Sequence, residues 1–178
     1  MNWQSPLPYV WQSSTDSQSF ERIAPPHGII PTPPHVGSFG AQRKHHIHEG
    51  VDLYAPHKTP ISAVEEGVVV AIEPFTGAAV DSPWWHDTFA VFVEGGSGVV
   101  VYGEIEPQPD LVVGQSVQSG QILGCVVPVL KVNKGRPMSM LHLELHTKNT
   151  RQAVEWSVGE PKPATLLDPT SLLLTLVK

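Results

Sequence analysis

The chain has 178 residues, 40% of them hydrophobic, enough for one domain with a real core and short for two. A formal charge of −6, with no basic run longer than Arg43–Lys44, argues against a nucleic-acid partner. No run of 18 apolar residues is present, so no membrane span is expected; without a basic-then-apolar leader the expected location is the cytoplasm, or the periplasm or exterior if an export signal was trimmed.

Residues 1–35 are rich in Pro, Ser and Gln ("APPHGIIPTPPH") and read as an extended arm or wrap, leaving residues 36–178 as the main domain. Fifteen glycines and 18 prolines leave little room for long helices. Runs of β-branched residues predict strands over 67–73, 88–94 and 98–105, with "EGGSG" turning between the last two. The intervening "SPWWH" presents Trp84, Trp85 and His86, where the tryptophans suit either stacking on a ligand or packing against the arm. Cys125, the one cysteine, excludes an internal disulfide and is expected to be a buried, inert thiol in "ILGCVVPVL". "MLHLELH" (140–146) alternates with period 2, which puts Met140, His142, Glu144 and His146 on one strand face. The tail "TLLDPTSLLLTL" admits a short helical turn, and His27, His35 and His57 are expected at the surface. The fold class is all-β, a compact sandwich or barrel.

"KHHIHEGVDLY" (44–54) crowds His45, His46 and His48 beside Asp52, a donor set suited to zinc. His48 and Asp52 are four residues apart, which spans about 13 Å in an extended strand, so two short side chains meet only if the chain bends. Gly50 is expected to supply the bend through backbone angles closed to other residues. A third ligand has to come from "HLELH", as His142 or His146.

"VGSFGAQRKHHIHEGVDLYAPHKTPISAVEEGVVV" resembles the opening of the lysostaphin-type (M23, LytM-like) zinc metallopeptidases, and the likeness continues through "VVVYGEIEP", "VVGQSVQSGQILG", "MLHLEL" and "LLDPTSLL" in the family's order. The resemblance implies a barrel-sandwich hybrid (a duplicated hybrid motif) of antiparallel sheets with a zinc cleft. It implies Zn2+ held by His48, Asp52 and His142, with one position left open, and a peptide or peptidoglycan-like ligand. It also implies that loop 75–87, with Trp85 and His86 at its tip, forms one wall of the cleft. Asp168 and Pro169 match the family's closing turn, and His45 and His46 fall to the rim.

The pattern breaks where the family carries two catalytic histidines: Glu104 stands in place of one, in "YGEI", and Met140 in place of the other. The expectation is therefore a zinc-binding domain that recognises such ligands with weak or no endopeptidase activity. One alternative is an active hydrolase with Glu104 as general base and His146 or His86 as oxyanion donor. Another is a non-enzymatic carrier or structural module, although the lysine turn of biotinyl carriers is missing.

Overall fold

The β-branched runs fold as a twisted antiparallel sheet, seen in a computed structural model that describes residues 3–18 and 25–178. In chain order the strands are β1 (Val10–Ser14), β2 (His27–Pro31), β3 (Val51–Tyr54), β4 (Pro60–Ser62), β5 (Gly67–Thr76) and β6 (Thr88–Gly95). They continue with β7 (Val99–Pro107), β8 (Ser116–Val117), β9 (Ile122–Val126), β10 (Met140–His146) and β11 (Leu166–Leu167), before a short α-helix, α1 (Thr170–Leu174). The main sheet runs β11-β10-β7-β6-β5-β8, with β3 added to β10, β9 to β7 and β4 to β9. The strand expected over 67–73 runs three residues further, that over 88–94 one further, and that over 98–105 starts one residue later and ends two later, while 140–146 forms as read. α1 is the expected helical turn, entered where Asp168 Oδ1 accepts from the Thr170 N–H at 2.8 Å.

Alternation divides the sheet's side chains between two apolar layers. Val91, Val93, Val100, Tyr102, Leu141 and Leu143 face the main core, while Ala90, Phe92, Val99 and Val101 form a smaller layer on the opposite face. Along β7 the core-facing residues are Val100, Tyr102 and then Ile105, so the phase slips by one residue. Opposite them on β6, Val91 pairs with Tyr102 but Phe89 pairs with Ile105, which leaves one residue too many on β7. That surplus is a β-bulge at Gly103–Glu104, and Glu104 sits in it with a left-handed φ of 61°.

The N-terminal arm is part of the same core. Trp3, Leu7, Tyr9, Trp11 and Ile30 join the main apolar cluster. Its two strands pair in parallel, Val10 opposite His27 through Ser14 opposite Pro31, a departure from the antiparallel expectation. Gly28 permits this, because a Cβ there would lie 2.6 Å from Tyr9 and 2.7 Å from Trp11. The Pro/Ser-rich composition of the arm masked these contacts: Leu7, Tyr9 and Trp11 alternate with period 2, but the run is short and interrupted by prolines.

Two burial expectations are corrected. His35 is fully buried, because its Nδ1 accepts the Gly37 N–H at 2.9 Å and closes the turn that leads toward β3. Cys125 is half-buried, although it is paired on both sides, with Pro60 of β4 and Glu106 of β7; burial and the nearby Glu106 charge both push its thiol pKa up.

Trp11 is 2% exposed and donates its Nε1–H to Ser5 Oγ at 2.7 Å. Trp11→Ala is expected to cost about 3–5 kcal/mol in denaturant unfolding, as for other large buried aromatics. A loss under about 1 kcal/mol would mean that the arm only rests on the core.

Candidate metal centre

Sheet register brings the central residues of the site together. β10 lies between β3 and β7, and in one row Asp52 stands opposite His142, which stands opposite Gly103. Directly opposed residues on neighbouring strands have Cβ atoms about 4.5–5.5 Å apart, so Asp52 and His142 are in reach of one atom. His48 arrives from the turn before β3, held by its backbone to Ala41 and Gly40. Gly50 is required for a different reason from the one expected. It is not among the glycines with positive φ; instead, a Cβ on it would sit 2.6 Å from the Leu143 carbonyl and 2.9 Å from His142 Nε2. The chain turns by ordinary angles and needs glycine for close passage over β10.

Three atoms converge. His48 Nε2 lies 3.1 Å from Asp52 Oδ1, His142 Nδ1 lies 3.0 Å from the same oxygen, and the two nitrogens are 3.2 Å apart. Ligands bound at about 2.0–2.1 Å to a tetrahedral ion stand about 3.3 Å from each other, so the triangle matches one face of a zinc site. His48, Asp52 and His142 are all buried and are the one such metal-binding group among the described residues.

The surroundings fix which nitrogens face the centre. The Ser38 carbonyl can only accept, so His48 Nδ1–H donates to it at 2.8 Å and Nε2 is left for the cluster. His142 Nε2–H donates to Glu144 Oε1 at 2.9 Å, leaving Nδ1 inward. Such outer carboxylate–histidine pairs orient metal ligands and raise their basicity. Arg43 takes the other oxygen of Asp52 at 2.7 Å, which leaves Oδ1 for the triangle.

The electrostatics describe a site with protons where a cation would be. Burial alone would depress His142, but hydrogen bonds from its ring to Asp52 and Glu144 hold its pKa well above the usual range. Burial would raise Asp52, yet the His48 charge, both histidine hydrogen bonds and Arg43 pull it well below the carboxylate range. Glu144 falls to about 2, burial being outweighed by its bonds to His142 and His146. Two buried carboxylates thus draw positive charge to this spot, which is what a divalent cation would satisfy with deprotonated ligands.

Glu104 belongs to the same electrostatic field without joining the triangle. Burial lifts its pKa to about 7, His142 opposes the shift, and the Asp52 charge adds to it. One carboxylate oxygen, Oε2, is buried with no hydrogen-bond partner among the described residues. Simple alternation would have turned this side chain into the main core with Tyr102; the bulge releases it.

The remaining sequence candidates are placed as follows. His146 is fully buried and donates Nε2–H to Glu144 Oε2 at 2.7 Å, so the carboxylate stands between it and His142. Met140, opposite Tyr54 in the β3–β10 pairing, is half-buried at the start of β10. Loop 75–87 touches the site through Phe75, whose ring centroid is 5.5 Å from that of His142. Trp85 and His86 make no hydrogen bond or ring contact with the triangle among the described residues. Trp85 bridges to Leu130, and His86 is anchored by its backbone to Val129 and Thr76. Of this loop, Phe75 at its base is the residue in ring contact with the triangle. His45 and His46 run along the segment near Ser157, away from the triangle.

Sequence reasoning missed Arg43, Phe75 and Tyr54. Arg43 lay within the quoted "FGAQR" and could have been picked out as a cation available to an otherwise unpaired buried Asp52. Phe75 and Tyr54 gave no such signal, being ordinary strand residues by composition. Tyr54 is buried beside Asp52, and both effects raise its pKa.

The model of peptidase family M23 matches residues 46–155, more than half of the chain. Among solved structures, a variant catalytic domain of the prophage-encoded M23 protein EnpA from Enterococcus faecalis is 20% identical with a TM-score of 0.51, over 83% of this chain and 92% of that one. The antimicrobial peptidase lysostaphin from Staphylococcus simulans is 19% identical with a TM-score of 0.50, over 78% of this chain and 48% of that one. Cbpa from L. salivarius REN is 20% identical with a TM-score of 0.50, over 80% of this chain and 86% of that one. At these identities the structures speak for the fold alone, and no curated protein matches the chain. The family match over residues 46–155, on a nearly all-β fold shared with M23 structures, makes this chain a member of peptidase family M23.

Proposed function

We propose that the chain is a zinc-dependent M23 domain that binds peptides of the peptidoglycan class and hydrolyses them slowly, with Glu104 doing the proton work that histidines do elsewhere in the family. The observation that carries this reading is Glu104 itself: a non-glycine residue in a left-handed bulge, with a buried, unpartnered oxygen and a pKa of about 7. Strain of this kind costs about 1–3 kcal/mol and persists where surrounding structure enforces it, commonly at functional sites. A carboxyl group poised near neutrality can take a proton from a water nucleophile and return it to a leaving amine.

His48, Asp52 and His142 would hold the metal, which when bound supplies Lewis acidity to the substrate carbonyl. Glu104 lies outside the three-residue ligand group, so the set keeps the open position of a catalytic site. Arg43 keeps Asp52 ionised and Glu144 orients His142, both acting through the ligands. Nothing in this arrangement replaces the second family histidine: Met140 offers a thioether, which neither donates to an oxyanion nor moves a proton. Slow turnover follows, since a missing oxyanion donor costs about 10²–10³-fold. The same residue favours a second reading, peptide recognition without cleavage, which the assays below separate from the first.

Metal analysis of the purified chain should give about one zinc per molecule, lost in His48→Ala. Occupancy should fall on acidification, because His142 must shed the proton that the metal-free site retains there. Glu144→Gln should weaken zinc binding by about 10–100-fold while the fold is kept. Zinc content unchanged in His48→Ala would remove the ligand assignment.

Glu104→Gln should lower kcat/KM for cross-bridge peptides by about 10²–10⁴-fold at undiminished zinc content. Glu104 must be ionised to act as base, so wild-type kcat/KM should rise with pH and level off. A nearby cation favours the ionised form, so this rise should come at or below the metal-free value of about 7. Equal rates for wild type and Glu104→Gln would exclude Glu104 as base. Tight peptide binding with no turnover in either would establish the second reading.

A further inference from the structure

The residues assigned above leave the oxyanion without a donor on the β10 side, and the adjacent strand carries one that the register brings into place. Tyr54 of β3 stands directly opposite Met140 of β10, two residues along from the Asp52–His142 pair, so these four side chains share one face of the sheet. On the other side of β10, Glu104 follows Gly103, the residue opposite His142, and so lies toward the same Met140 end of the site. Tyr54, Met140 and Glu104 thus make a second row beside the row of ligands, about 7 Å further along β3 and β10. Tyr54 is the one buried aromatic among the described residues that belongs to neither apolar layer, although its neighbours Leu53 and Ala55 face the main core. Its hydroxyl is folded back toward the ligands: a Cβ on Gly37 would lie 2.9 Å from the Tyr54 oxygen and 3.3 Å from Asp52 Cβ, so a single point touches both. The charges of Asp52, Arg43 and Glu104 all bear on that hydroxyl. Tyr54 is also as open as a ligand, 7% exposed like His142.

We propose that Tyr54 is a further catalytic residue, its Oη–H donating a hydrogen bond to the oxyanion of the peptide undergoing hydrolysis. The inference rests on the reading of this chain as a peptide-hydrolysing M23 domain, and it names the group that stands in for what Met140 withholds. As the water oxygen bonds to the carbonyl carbon, the C=O π pair moves onto oxygen; the phenol answers that charge and keeps its own proton. The pair returns to the carbonyl as the C–N bond breaks, and the amine leaves with the proton that Glu104 took from water. Glu104 and Tyr54 flank β10 from β7 and β3, which lets one act on the water and the other on the carbonyl oxygen. A phenol is neutral at working pH, so it gives less to an oxyanion than an imidazolium would, and turnover stays slow.

Tyr54→Phe keeps the ring and removes only the hydroxyl, so it is compared with wild type in the full, zinc-loaded chain. Two probes are titrated by calorimetry: acetyl-pentaglycine amide, and its analogue with a phosphinate in place of one peptide link, whose tetrahedral oxygens stand in for the oxyanion. The variant should bind the phosphinate roughly 10²-fold more weakly, and the plain peptide within about twofold of wild type. For the peptide, kcat should fall by about the same 10²-fold with KM little changed. Zinc content and the denaturant midpoint should stay where they are, which a purely structural role for the hydroxyl would not allow. Equal phosphinate affinity in the two proteins would overturn the proposal. So would a parallel loss for both probes, loss of zinc in the variant, or a phosphinate that binds wild type no better than the peptide does. Failure of Glu104→Gln to alter hydrolysis would strike the mechanism above and leave the Tyr54 result standing. Unchanged phosphinate affinity in Tyr54→Phe, beside a rate that depends on Glu104, would strike this proposal alone.

Discussion

The site depends on one row of backbone pairing, in which β10 holds His142 between Asp52 of β3 and Gly103 of β7. The row fixes the Asp52–His142 pair before any side-chain choice is made, because opposed strand residues share a face. A slip of one residue in β3 would turn Asp52 into the main core and remove the carboxylate that the two histidines share. Gly103 at the end of the row makes room for Phe75, since a Cβ there would lie 2.7 Å from that ring. Phe75 in turn packs on His142. Ligand placement, ring orientation and the apolar wall therefore follow from the same register.

Around this row, charge is arranged so that each polar group limits the freedom of the next. Ser38 and Glu144 choose the nitrogens of the two histidines, and Arg43 chooses the oxygen of Asp52. His146 closes the chain on the far side of Glu144, with its Nδ1 buried and without a hydrogen-bond partner among the described residues. Such a network is preorganised, and it is costly to leave half-satisfied: two buried carboxylates without a cation must recruit protons. The metal-free state does so at His142, which sets protons and metal in competition for the same atoms.

The sequence made the strands legible where β-branched residues run together, as in β5, β6 and β7, and the period-2 face of β10 placed His142 and Glu144 correctly. His48 and Asp52 were legible as a bent pair, though the bend needed no unusual glycine angle, only the absence of a side chain over β10. The bulge at Glu104 was not legible, because "VVVYGEIEP" alternates smoothly enough to hide a one-residue slip that only strand pairing reveals. His146 looked like a site residue because it shares a face with His142; whether it reached the cleft depended on what stood between them, and that is Glu144. In the arm, Trp3, Tyr9 and Trp11 lay in a segment whose prolines suggested exposure, while their packing depends on strands far along the chain.

That arm also constrains how the molecule can assemble. Trp11 meets Val177 in a parallel bridge, so a residue near one end of the described chain completes its contacts against a residue near the other. A ribosome makes Trp11 long before Val177, and until then this indole has an incomplete seat. Contacts of such long sequence separation slow folding, because the loop they close must be ordered before they return any stabilisation. The nascent chain therefore carries incompletely covered aromatic surface until the segment around Val177 has emerged.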